Sequence, residues 1–266
     1  MKHETLVSGK TSAAWGYRKM RTAEIQAKSI LSKSRVYEWT INPYRGCQHG
    51  CSYCYARFMK RFTHHMESWG EFVDAKVNAP GLLAEEVKKK KVGRVWISGV
   101  CDPYQPIEEE YELTRRCLEV LQRNGWPVTI QTKSPLVLRD LDQLKRFAEI
   151  EVGFSIGTGD EELRSIFEPK ASRIRERINA LEILHREEVR TYVMIAPMLP
   201  KVESLPSQLK GKVDYVLIDK MNYHYADWVY RKHSLERARN NEFFAQKGTE
   251  LAHLFRMRGI PCQLLF

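Results

Sequence analysis

Six short β-rich runs, at residues 36–41, 94–98, 128–131, 151–156, 191–195 and 213–218, alternate along the chain with stretches of helical periodicity. Several of these runs are apolar without strict alternation, as strands covered on both faces should be. Between them, Leu113, Cys117, Leu118 and Leu121 fall on one helical face, and Ile174, Ile178, Leu181 and Leu184 fall on another. Phe244, Leu251, Leu254 and Phe255 mark a long C-terminal helix, and a seventh short run covers 263–266. Strand–helix alternation predicts parallel β/α units. Six such units make an open, partial version of the (β/α)8 barrel. The expected fold class is therefore α/β: a partial (β/α)6 TIM barrel over 35–266, with a C-terminal helix. Residues 1–34 are polar and weakly patterned, and read as an N-terminal extension that wraps the barrel or is partly mobile. In such barrels the chemistry sits beyond the C-terminal ends of the strands.

Composition narrows the class of protein. Hydrophobic residues make up 43% of the 266 and charged residues 29%, a globular profile that excludes a disordered chain. The longest apolar runs are a few residues, too short for a membrane-spanning helix. The first thirty residues carry Lys2, Lys10, Arg18, Lys19, Arg21 and Lys28 without an apolar core, so no secretory leader is expected and the protein is placed in the cytoplasm. Lys plus Arg number 43 against 33 for Asp plus Glu, a net charge of +10. That surplus points to a polyanion such as nucleic acid; the alternative is a basic but inert surface.

Three of the six cysteines, Cys47, Cys51 and Cys54, fall within eight residues, while Cys101, Cys117 and Cys262 are scattered. A disulfide framework would be spread more evenly and would require export. The spacing Cys47-x3-Cys51-x2-Cys54 instead lets three thiolates converge on one metal centre. That centre is either zinc completed by a histidine or an iron–sulfur cluster with one iron free. No second cysteine knuckle supports zinc, and His49 lies cramped within the loop, although His64 and His65 can reach back.

The run Asn42-Pro43-Tyr44-Arg45-Gly46-Cys47-Gln48-His49-Gly50-Cys51-Ser52-Tyr53-Cys54-Tyr55-Ala56-Arg57 resembles the cluster loop of radical S-adenosylmethionine (radical SAM) enzymes. More narrowly it is similar to the spore photoproduct lyase-related, DNA repair photolyase-like branch. Asp102-Pro103-Tyr104-Gln105-Pro106, Thr132-Lys133-Ser134, Phe167-Glu168-Pro169-Lys170 and Ile195-Ala196-Pro197-Met198 agree, in the family's order. The resemblance covers roughly 36–220 and implies a partial barrel. It also implies a [4Fe–4S] cluster on Cys47, Cys51 and Cys54, whose free iron binds S-adenosylmethionine. One electron, from a donor such as flavodoxin or ferredoxin, then yields a 5′-deoxyadenosyl radical.

The same resemblance assigns further residues. Tyr53 and Tyr55 flank Cys54 and are expected beside the cluster and the adenine side of the cofactor, or as walls that keep water off. Asp102 either accepts the cofactor's ammonium protons or caps the turn before Pro103. Lys133, ending the third strand, is expected to pair the cofactor carboxylate. Ser155, ending the fourth, is expected to bond the ribose or carboxylate. Arg177 lies near the family's usual carboxylate-binding arginine, with Arg173 and Arg175 as neighbours. Glu168 is expected to orient its loop. The spore photoproduct lyases proper use a cysteine near the second strand's end as hydrogen donor, and aligned on Asp102 that position holds Gly99. Cys101, two residues on and so on the same strand face, is the candidate substitute, or else a small buried hydrophobe.

Arg57, Lys60 and Arg61 follow the cysteines and suit phosphate contacts. Tyr223 and Tyr225, with Trp228, Tyr230, Arg231 and Lys232, mix aromatics with cations, a pattern that serves base stacking or core packing equally. The branch implies repair of methylene-bridged thymine dimers in DNA. The alternatives are radical modification of RNA, a peptide or a small molecule, and, in other classes, a zinc-stabilised nucleic-acid-binding module or a non-catalytic iron–sulfur protein.

Overall fold

The computed structural model describes residues 20–266; most of the expected N-terminal extension lies outside the described residues. The chain forms two compact units. One comprises residues up to Gly50 with Ala56–Gln131 and Arg139–Ile150, and the other comprises Cys51–Tyr55, Thr132–Leu138 and Glu151–Phe266.

In the first unit the barrel strands Trp39–Ile41, Val95–Ile97 and Val128–Thr132 run parallel. The register sets Ile41 beside Ile97 and Ile97 beside Ile130. Val95, Ile97, Val128 and Ile130 are all fully buried, which is why these runs read as nearly continuous apolar segments. The helix Leu113–Arg123 turns Leu113, Cys117, Leu118 and Leu121 inward, as its periodicity requires. A smaller sheet pairs Arg21–Ile25 parallel with Phe72–Lys76, and Tyr44–Arg45 antiparallel on the other side of Phe72–Lys76. The strand Arg21–Ile25 falls inside the segment read as an extension.

In the second unit Ile150–Ser155, Arg190–Ile195, Tyr215–Ile218 and Cys262–Leu264 are neighbours in that order, all parallel. All six expected barrel strands are present, and the seventh run lies one to two residues earlier than expected, at Cys262–Leu264. The helix Ile174–Arg186 buries Ile174, Ile178, Leu181 and Leu184. The C-terminal helix Asn241–Arg256 starts where the Asn240 side chain accepts the N–H of Phe243 at 2.7 Å.

Gly153 has a specific packing reason. A Cβ there would lie 2.1 Å from the ring of Tyr192, its partner on the next strand, and Tyr192 is itself stacked on Tyr215 at 5.4 Å. Gly153→Val is therefore expected to lower stability by about 1–3 kcal/mol through overpacking. A thermal melt checks this, and an unchanged midpoint would contradict it.

Candidate functional site

The loop that carries the three clustered cysteines follows the first barrel strand. In the first unit it begins at Asn42, whose side chain accepts the N–H of Val100 at 3.0 Å. Tyr44 donates its hydroxyl to Glu108, a fully buried carboxylate that also accepts the N–H groups of Thr114 and Arg115 and pairs with Arg139 at 2.9 Å. Burial raises the Glu108 carboxyl above its ordinary range, against the hydrogen bonds from Tyr44, Thr114 and Arg139.

Gln48 and Gln105 clamp the loop reciprocally. Gln105 accepts the N–H of Gln48 at 2.9 Å and donates to the Gly46 carbonyl at 3.3 Å, while Gln48 accepts the N–H of Ile107 at 2.6 Å. Gly46 sits at φ +91°, and a Cβ on it would meet the Phe72 carbonyl at 2.4 Å. An alanine there must move the backbone that presents Cys47. Left-handed strain of about 1–3 kcal/mol should show as lost metal retention, so Gly46→Ala is expected to keep well under half the wild-type iron after anaerobic gel filtration. Equal iron in the two proteins would contradict this.

His49 is buried, with Nε2 3.2 Å from Asp102 Oδ2. Asp102 Oδ1 accepts the N–H of Tyr104 at 3.0 Å, the turn-capping arrangement. His65 is held between two carboxylates, Asp74 at 2.7 Å and Glu67 at 3.2 Å, with Asp74 also paired to Arg45. Both histidine nitrogens thus have acidic partners, so His65 is not placed to complete a zinc site.

Cys101 packs against a small core of Tyr44, Val73, Ala75, Ile107 and Leu113, and its thiol donates to the Tyr44 carbonyl at 3.5 Å. Burial pushes this thiol up to about 11. The second barrel strand ends at Ile97, and Ser98 after it sits at φ +64°, a strained position for a residue with a side chain, so Gly99 and Cys101 lie beyond the strand and do not share a strand face as expected. Arg57, Lys60 and Arg61 lie on the 3-10 helix Tyr55–Phe62. Lys60 donates to the Met66 carbonyl at 3.2 Å, and the Arg61 guanidinium lies over the Phe62 ring at 4.8 Å.

In the second unit, the N–H of Ser52 donates to the Phe167 carbonyl at 2.8 Å, and Tyr53 donates its hydroxyl to Glu168. Glu168 pairs with Arg177 at 2.6 Å, both effectively inaccessible to solvent. Arg177 also donates to the carbonyls of Ser155 at 2.9 Å and Ser172 at 2.6 Å. Burial alone would raise the Glu168 carboxyl, but Arg177, Lys133 and the Tyr53 hydrogen bond outweigh it and hold it below the usual range. Lys133 stands 5.8 Å from the centre of the Tyr53 ring. Arg177, expected near the cofactor carboxylate, is instead spent on Glu168 and two backbone carbonyls. Arg173 and Arg175 are exposed. Tyr55 stacks on Tyr223, and Tyr223 on Tyr225.

The donor set suits an iron–sulfur cluster. Cys47 and Cys51 are buried and Cys54 is half-buried. Burial pushes the Cys51 thiol up to about 12, while Lys133 and Arg177 pull it down, so a bound metal charge is what converts it to thiolate. The Ser52 hydroxyl is buried with no hydrogen-bond partner among the described residues, and so is Nδ1 of His49. Orphaned polar groups on this loop are what hydrogen bonds to cluster sulfurs would satisfy.

The family model of the radical SAM superfamily matches residues 41–204. An uncharacterized protein of Methanocaldococcus jannaschii is 34% identical over 77% of this chain and 79% of its own length. A radical SAM Nα-GlyT isomerase of Pseudomonas phage M6 is 24% identical over 60% of this chain, which spans 33% of that protein. Among solved structures, spore photoproduct lyase complexed with dinucleoside spore photoproduct has the same fold. Its TM-score is 0.70 at 13% identity, over 92% of this chain and 82% of that one. The fold is the α/β partial TIM barrel. No described helix is long and apolar enough to cross a membrane. The chain belongs to the radical SAM superfamily, and is an enzyme whose cofactors are a [4Fe–4S] cluster and S-adenosylmethionine.

Proposed function

We propose that this enzyme acts on nucleic acid, as a spore photoproduct lyase-like DNA repair enzyme. The observation that carries the reading is the cationic surplus of +10, with Arg57, Lys60 and Arg61 on the helix that immediately follows the cluster cysteines. The shared fold with a lyase that holds dinucleoside spore photoproduct supports it.

Cys47, Cys51 and Cys54 would hold the cluster, and Lys133, Ser155 and Asp102 would meet the cofactor's polar groups. When bound, cluster and cofactor supply a 5′-deoxyadenosyl radical by one-electron cleavage of the sulfonium. The chain's own residues orient and shield that chemistry. Tyr53, pinned to Glu168, fixes the backbone between Cys51 and Cys54. Arg177 acts through Glu168 and the strand end rather than on the cofactor, which leaves the carboxylate of the cofactor to Lys133. Cys101, a thiol and so protonated at neutral pH, would give its hydrogen atom to a substrate radical and be left as a thiyl radical. The reductant would be a cytoplasmic flavodoxin or ferredoxin.

A second reading rests on Gly99, which stands where the lyases proper carry their donor. A rearrangement that returns the same hydrogen it removed needs no thiol, and the phage relative is named an isomerase. The two separate in one assay. The anaerobically reconstituted enzyme is given S-adenosylmethionine, dithionite and a dinucleotide carrying the spore photoproduct. Restored thymines, with Cys101→Ala diverting product to unquenched radical adducts, support repair with Cys101 as donor. An untouched lesion in a preparation that releases 5′-deoxyadenosine overturns the repair reading.

A further inference from the structure

We infer that Tyr55, Tyr223 and Tyr225 form a stacking platform for unpaired nucleobases. This rests on the nucleic-acid reading above and specifies how the polymer is held. The three rings are nearly parallel. Tyr55 and Tyr223 lie 5.9 Å apart at 20°, and Tyr223 and Tyr225 lie 6.0 Å apart at 22°. Centroid separations this long mean offset stacking, in which each ring covers only part of its neighbour. Tyr55, Tyr223 and Tyr225 are 37%, 50% and 39% exposed, respectively. Three adjoining, partly exposed aromatic side chains make a surface patch of the kind that marks a binding site.

The platform is held in place. Met221 and Ala226, on either side of the two outer tyrosines, are buried. Arg239 donates to the Tyr223 carbonyl at 3.0 Å and to Asp227 at 2.9 Å, and His224 meets the same Asp227 at 2.7 Å. A pinned loop loses little freedom when a ligand lands on it. Charge agrees with the occupant: residues 220–240 carry Lys220, Arg231, Lys232, Arg237 and Arg239 against Asp227 and Glu236. The innermost ring, Tyr55, is the residue after Cys54, so bases laid on the outer rings lead toward the cluster loop. Bases in a duplex are already stacked on each other, and only unpaired or extruded ones have a face to offer. Tyrosine faces read no base edges, so sequence preference should be weak.

The test measures anisotropy of a fluorescein-labelled thymidine oligonucleotide, single-stranded and as a duplex, with the anaerobically reconstituted enzyme across a salt series. Single strand should bind tighter than duplex. Tyr223→Ala and Tyr225→Ala should each weaken single-strand binding roughly 5- to 100-fold, the loss of one stacked base. The log–log salt slope should stay at the wild-type value, because no phosphate contact is removed. Tyr223→Phe and Tyr225→Phe, which keep the ring, should bind as wild type, and matching melting curves establish that every variant is folded. Alanine variants that bind as wild type, phenylalanine variants as weak as alanine, or a preference for duplex would each overturn the platform while leaving nucleic-acid binding intact. Failure of the wild type to bind nucleic acid at low salt would overturn the platform and the nucleic-acid reading together.

Discussion

Cys51→Ala should leave a folded protein that neither retains iron nor releases 5′-deoxyadenosine above background. The substitution removes one soft ligand from a set of three and leaves two, too few to hold a four-iron cluster with one open iron. The backbone ties of the loop survive it, because the N–H of Ser52 still reaches the Phe167 carbonyl and Tyr53 still reaches Glu168. The pH dependence of assembly follows from the same residue. Without metal the Cys51 thiol sits at about 12, raised chiefly by burial, and cluster binding must displace its proton. Below that value the thiolate fraction rises about tenfold per pH unit, so reconstitution of the wild type should be faster at mildly alkaline than at mildly acid pH. Iron and sulfide analysis with chromatographic detection of 5′-deoxyadenosine checks the variant. Wild-type iron content with undiminished product would contradict the ligand assignment.

The second large effect is on stability. Arg177→Met strands the Glu168 carboxylate, buried and still hydrogen-bonded by Tyr53 but without its guanidinium. Breaking a buried pair from one side costs about 3–5 kcal/mol. At roughly 2–4 °C per kcal/mol for a chain of this size, the melting midpoint should fall by roughly 6–20 °C. Adding Glu168→Gln should return part of that loss, because the unpaired charge is gone. The sign with pH is set by the depressed Glu168 carboxyl. Its contribution is fully present above the ordinary carboxylate range and is lost as pH falls through the lower folded value. The gap between wild type and Arg177→Met should therefore narrow in acid. A midpoint shift of under ~2 °C at neutral pH would show that the pair does not hold this part of the molecule.

Legibility in the sequence followed the range of the interactions. The barrel strands were visible because residues such as Val95, Ile97, Val152 and Phe154 are buried wherever the strand runs, and that is written locally. The boundary at 36–41 was too generous because Val36, though apolar, is 64% exposed, and the strand is only Trp39–Ile41. The strand Arg21–Ile25 was missed because its partner Phe72–Lys76 lies far along the chain and its own pattern is half polar. The cysteine spacing was legible for the opposite reason, since a metal-binding loop is a local motif. The side chains that hold that loop were not. Tyr53 and Glu168 are 115 residues apart, Gln48 and Gln105 are 57 apart, and no local period records either pairing. Arg177 was found by its place on the helix, but its partner is a carboxylate of this chain, and only the fold brings the two together.

The central claim, a radical SAM enzyme that acts on nucleic acid, is tested most directly by following hydrogen. The reconstituted enzyme is incubated with S-adenosylmethionine, dithionite and a fully deuterated thymidine oligonucleotide, with and without the spore photoproduct, and the 5′-deoxyadenosine is weighed by mass spectrometry. Deuterium from the nucleic acid is expected in the 5′-deoxyadenosine, and none when the oligonucleotide is unlabelled. Abundant 5′-deoxyadenosine that carries no deuterium from either oligonucleotide would contradict the claim.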